Sequence, residues 1–178
     1  MNAGAKTAGG GKGKASAGRR RSAARLAAVQ ALYEMDMAGA AADPILGAFL
    51  ENRWRTNGKD DAAALVEPDG ELLADLVRGV AARRADLDGM IGPVLSAAWT
   101  VERLEVVLRA ILRAGTYELL ARSDIPPRVV INEYLEVAHA FFAGTETGLV
   151  NGVLDRLART LRPREMEEIK GGQTPQEP

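Results

Sequence analysis

Arg19, Arg20 and Arg21, followed by Arg25, carry the strongest chemical signal in the sequence. Guanidinium groups keep their charge at any physiological pH, and their donor forks match phosphate oxygens or stack on unpaired bases. That combination suits single-stranded RNA. On a helix Arg21 and Arg25 fall one turn apart on the same side, and the rest of the triplet adds donors at the helix start. Tyr33 follows on the same helix; its ring continues the apolar stripe while its hydroxyl emerges near the arginines, where it can stack on or bond to RNA. The candidate RNA-binding residues are therefore Arg19, Arg20, Arg21, Arg25 and Tyr33. The plainer reading of the same triplet is a solubilising terminus.

Charge balance favours the first reading. The 178 residues hold 23 basic and 24 acidic side chains, a net of −1. Seven basic residues and no acid lie in residues 1–25, which leaves 16 basic against 24 acidic in the rest, a net of −8. A cationic segment on an acidic body is drawn to a polyanion by counterion release.

Other chemistry fails for want of residues. With no cysteine there is no disulfide, thiolate zinc site or cysteine nucleophile, and the single histidine, His139, has no second histidine at ligand spacing. The run Gly9-Gly10-Gly11-Lys12-Gly13-Lys14 lacks the glycine that a phosphate loop needs at Ala8 and the hydroxyl it needs at Ala15. Glu165, Glu167 and Glu168 read as a solvated acidic cluster. No active site, metal site or cofactor is expected. The longest apolar stretch, 101–120, is interrupted by Glu102, Arg103, Glu105, Arg109, Arg113 and Glu118, so no membrane span is expected. Nor is there a secretory signal, because residues 2–25 contain no Leu, Ile, Val or Phe. The expected location is the cytoplasm.

The elements that must position these residues are helices. Leu26, Val29 and Tyr33 predict a helix over about 19–38, ending near Gly39. Asp43-Pro44 predicts a second helix with a core face of Ile45, Leu46, Phe49 and Trp54, ended by Asn57-Gly58. Asp69 caps a third, with Leu73, Leu76, Val77, Val80, Leu87 and Ile91 on one stripe. A short helix follows Gly92-Pro93, and Thr100 caps a fifth over 101–122, apolar enough to be central. Ile131, Tyr134, Leu135, Ala138 and Phe142 mark a sixth helix after Pro126-Pro127. Val150, Val153, Leu154, Leu157 and Leu161 mark a seventh, ended by Pro163. No stretch alternates with period two. The expectation is an all-α protein of about seven helices, a single domain organised as two small helical bundles over 19–163, with a disordered basic arm at 1–18 and a disordered tail at 164–178.

Four stretches, in order, resemble the NusB family of bacterial transcription antitermination factors. They are Arg25-Leu26-Ala27-Ala28-Val29-Gln30-Ala31-Leu32-Tyr33; Arg109-Ala110-Ile111-Leu112-Arg113 leading to Tyr117-Glu118-Leu119; Ile125-Pro126 leading to Val130-Ile131-Asn132-Glu133; and Val150-Asn151-Gly152-Val153-Leu154-Asp155. The likeness spans about 19–163. It implies a helical fold of two bundles, no enzymatic activity, and pairing with NusE, a ribosomal protein, on boxA-type single-stranded RNA within an RNA polymerase antitermination complex. Its arginine-rich start falls on Arg19, Arg20, Arg21 and Arg25, although Ser22, Ala23 and Ala24 intervene where arginines run directly into the helix in other members. The family often places an acid where this chain has Leu108. Whether the chain acts as a monomer or a homodimer is left open by these features.

The expected NusE surface is the start of the 101–122 helix, where apolar excess meets exposed Glu102, Glu105 and Arg109. NusE, as an RNA-binding ribosomal protein, is expected to be basic and to be attracted to the acidic body. Asn132 and Asn151 read as amides bridging packed segments. Two further readings compete: a helical protein–protein adaptor with no direct RNA contact, and an RNA-modifying enzyme. The latter needs a cofactor domain for which the sequence shows no glycine-rich strand.

Overall fold

A computed structural model describes residues 10–53, 66–96 and 99–171, and among these there are eight α-helices and no strand. They are α1 (Gly10–Ala38), α2 (Ala42–Ala48), α3 (Gly70–Ala82), α4 (Arg84–Ile91), α5 (Val106–Ala121), α6 (Pro127–Phe141), α7 (Glu146–Leu161) and α8 (Pro163–Gly171). A π-turn at Phe49–Arg53 continues α2, and 3₁₀ turns at Gly92–Val94 and Val101–Arg103 flank the α4–α5 connection.

The punctuation residues act as the sequence predicts. The Asp69 carboxylate accepts from the Leu72 amide at 3.1 Å and caps α3. Pro127 opens α6 in a position where the missing amide costs nothing. Gly39, at a φ of 63°, lets the chain leave α1 in a left-handed turn.

Helix α5 is central. It packs against α1, α3 and α4 on one side and α6 and α7 on the other, which joins an N-terminal group of helices to a C-terminal one. Eleven consecutive-turn residues of α5 are buried, from Leu108 to Leu119 with Arg109 only partly so. A Cβ at Gly115 would stand 2.9 Å from both Leu154 methyls, so glycine lets α5 and α7 approach closely there.

Several boundaries depart from the sequence reading. Helix α1 begins at Gly10, so residues 10–18, expected in a disordered arm, are helical although four of the nine are glycine; a helix already nucleated extends more easily than it starts. Of the expected Leu26, Val29 and Tyr33 stripe Val29 is fully buried, Leu26 partly buried and Tyr33 exposed; Ala24, Ala28, Ala31 and Leu32 make up the rest of the apolar buried face. Alanines let α1 approach α3 and α5 closely, and this turns the larger Tyr33 outward. The stripe expected on one third helix is divided by Arg83 between α3 and α4, although its six apolar residues are all buried. Leu104 and Glu105 are extended, so α5 starts at Val106 and Thr100 precedes only a 3₁₀ turn. Pro163–Gly171, expected in the tail, forms α8 and buries Met166. Trp54 and Asn57-Gly58 lie outside the described residues.

Candidate nucleic-acid and partner interface

Arg19, Arg20 and Arg21 are exposed. Because α1 starts at Gly10, they stand more than two turns inside it, beyond reach of the unfavourable positive end of the helix dipole. At about 100° per residue the three fan around the helix rather than lining one side. Arg20 borders an open groove with Leu50, Glu67, Asp69 and Glu71, and its carbonyl accepts from the Asp69 amide at 2.9 Å. The Asp124 carboxyl is held below its usual range mainly by a hydrogen bond from Arg122, with Arg21 contributing through charge. Arg19 shares a face with Ser22, Leu26, Gln30, Tyr33 and Met37.

Arg25 does not join them. The expectation of a surface donor beneath Arg21 is corrected by its burial: the residue is 2% exposed and its guanidinium points inward. Nε lies 3.1 and 3.0 Å from the two Glu118 oxygens and Nη2 lies 2.5 Å from Oε1. Nη1 donates to Glu133 Oε2 at 2.9 Å. Tyr134, fully buried, donates its hydroxyl to Glu118 Oε2 at 2.9 Å. Burial opposes the Arg25 charge, but the hydrogen bonds and attraction from Glu118 outweigh it and hold the guanidinium charged. Burial, reinforced by Glu118, also pushes the Tyr134 phenol well above its ordinary range. Arg25 therefore fixes α1 to α5 and α6.

A second charged cluster ties the other end of α1 to α4 and α5. Asp36 accepts from Arg84 at 2.5 Å, Arg113 at 3.1 Å and Arg109 at 3.3 Å, and Arg113 also forms a two-bond pair with Asp88 at 2.7 Å. Arg109, expected to be exposed, is therefore drawn inward, and its buried Nε has no partner among the described residues. Glu102 and Glu105 are exposed as expected. The Glu102 carboxyl lies below its usual range because a backbone amide and the Thr100 hydroxyl bond to it.

Tyr33 is 37% exposed. It lies about 20 Å from Arg19 along α1 at 1.5 Å per residue. It stands one turn before Asp36, whose partner Arg109 is one turn after Glu105. The arginine triplet and the Glu102–Glu105 surface thus lie toward opposite ends of α1, and Tyr33 stands nearer the second. Asn132 and Asn151, expected to bridge packed segments, are exposed and make no bond among the described residues. No group of three possible metal ligands occurs among the described residues, and no helix there is long and apolar enough to cross a membrane.

Residues 22–159 match the family model described as "NusB family". The chain belongs to the NusB family. It is 49% identical over 167 residues to the transcription antitermination protein NusB of Rhodospirillum rubrum, covering 86% of this chain and 89% of that one. It is 47% identical over 142 residues to the Caulobacter vibrioides protein of the same name, covering 80% of this chain and 94% of that one. Among solved structures, the fold is similar to Thermotoga maritima ("T. maritima") NusB, with a TM-score of 0.67, 33% identity, and coverage of 84% of this chain and 96% of that one. It is also similar to a chain from a complex of the antitermination factors NusB and NusE with double-stranded RNA, with a TM-score of 0.65, 25% identity, and coverage of 80% and 98%. Membership in the NusB family accounts for the ordered motifs, which fall on α1, α5, the α5–α6 turn with the start of α6, and α7.

Proposed function

We propose that this protein is a non-enzymatic, cytoplasmic transcription antitermination factor that binds boxA-type single-stranded RNA of ribosomal RNA operons together with NusE, as part of an RNA polymerase antitermination complex. The observation that carries this reading is the arginine triplet, free of ion pairs among the described residues, on a helix whose next arginine is buried as an anchor. The likeness to a chain solved with NusE and RNA supports it. Arg19, Arg20 and Arg21 supply the phosphate contacts, which set affinity and register and leave sequence to be read by other groups. Glu102 and Glu105 form the acidic rim that NusE meets, with the incompletely bonded Arg109 beneath them and Tyr33 alongside.

Titration of a boxA-type RNA with the protein alone, and again with NusE present, tests this reading. Binding that tightens when NusE is added supports it. NusE binding with no RNA binding under either condition supports the protein–protein adaptor instead.

A further inference from the structure

At the cationic end of α1 the surface carboxylate of Glu133 bonds to side chains of that helix, and phosphate binding alone gives no reason for it. Glu133 of α6 is 27% exposed at its side chain. Both bonds it makes use the same oxygen: Ser22 Oγ donates to Oε2 at 2.7 Å and Arg25 Nη1 donates to Oε2 at 2.9 Å. The other oxygen, Oε1, has no hydrogen bond among the described residues. The carboxylate is thus clamped on one side and open on the other. Ser22 is one turn after Arg19, so the open oxygen lies beside the candidate phosphate path.

A carboxylate there repels phosphate and weakens non-specific binding. It accepts hydrogen bonds and donates none, so the groups of a nucleic acid that it can hold are N–H and O–H donors. Apolar surface lies beside it on α6: Val129 is exposed and one turn before Glu133. An apolar floor beside a fixed acceptor is how a splayed base is held, with its face on the side chains and its edge on the polar group.

Resting on the reading that the α1 arginines bind RNA, we propose that Glu133 is a specificity-determining residue: its free Oε1 accepts from the exocyclic amino group of a base seated over Val129. Cytosine, adenine and guanine all offer such an amino group. Uracil does not, and its two carbonyl oxygens flank its one N–H and face the carboxylate unfavourably. Ser22 and Arg25 act as positioning residues that hold Oε2, so Arg25 links the anchoring of α1 to the selection of a base.

The test compares affinities for oligocytidylate and oligouridylate of equal length at one salt concentration, in wild type, Glu133→Gln and Ser22→Ala, with circular dichroism to check folding. Wild type should favour oligocytidylate. In Glu133→Gln that preference should shrink about fivefold, the worth of one net hydrogen bond, while affinity for oligouridylate holds or rises because a like charge has left the phosphate path. Ser22 is exposed, so Ser22→Ala keeps the fold, and loosening the clamp should shrink the preference in the same direction. If both variants keep the wild-type preference, Glu133 serves only to anchor α1, and RNA binding by the arginines stands. A wild type that binds both oligonucleotides but does not distinguish them also overturns the proposal. Failure to bind either oligonucleotide overturns both the proposal and the RNA reading beneath it.

Discussion

Arg25 of α1 and Glu118 of α5 lie 93 positions apart in the chain and meet in the interior through three hydrogen bonds of 2.5 to 3.1 Å. Glu118 has no exposure at all, and Tyr134 bonds to the same carboxylate. Removing one partner of such a pair leaves an uncompensated buried charge.

Arg25→Ala should accordingly lower stability by about 3–5 kcal/mol. Chemical denaturation measured by helix signal checks this. The loss should appear without RNA present, which separates an anchor from a binding residue.

Alkaline pH should weaken the fold through two buried phenols, one of them in this cluster. Burial raises the Tyr134 phenol well above its ordinary value, and burial with a bond to Asp75 raises Tyr117. A group whose folded pKa is raised binds its proton more tightly when folded. Its contribution is complete below the unfolded phenol pKa of about 10 and is lost as pH climbs through the folded value. Phenolate absorbance should therefore report these two tyrosines ionising late and together with loss of helix. Early ionisation in a protein still fully helical would contradict the placement of Tyr134.

Reversing Glu102 and Glu105 to Lys should weaken NusE binding, most strongly at low salt, because exposed charges steer association and are screened as salt rises. The helix content should not change, since neither side chain packs in the core. Unchanged affinity at low salt would place the NusE surface elsewhere.

Local signals made the helices readable. Asp69, Pro127, Gly39 and Pro163 each mark a boundary by a mechanism that needs no tertiary information. The contacts of charged side chains were not readable. Arg25 sits four residues after Arg21 and looks like part of one solvated cluster; only the approach of α5 and α6 through Ala24 and Ala28 makes it an interior group. Arg109 and Arg113 likewise read as surface breaks in an apolar run, and Asp36 and Asp88 supply the partners that bring them inward. Helix α8 was hidden by its Glu-rich composition, because a lone buried Met166 among its described side chains is a weak signal. Arg162 strengthens that end of the molecule by bonding the carbonyls of Arg122, Ser123 and Ile125, and no pattern in the sequence announces such contacts.

The salt dependence of RNA affinity, measured for wild type and for a variant with Arg19, Arg20 and Arg21 replaced by Ala, tests the central claim most directly. Three lost phosphate contacts, at about 0.7 per contact for single strands, should flatten the log–log slope by about 2. Helix content should hold, because alanine is the better helix former and Arg25 remains to anchor α1. A variant that keeps both the wild-type affinity and the wild-type slope would show the triplet to be a bystander and would contradict the account.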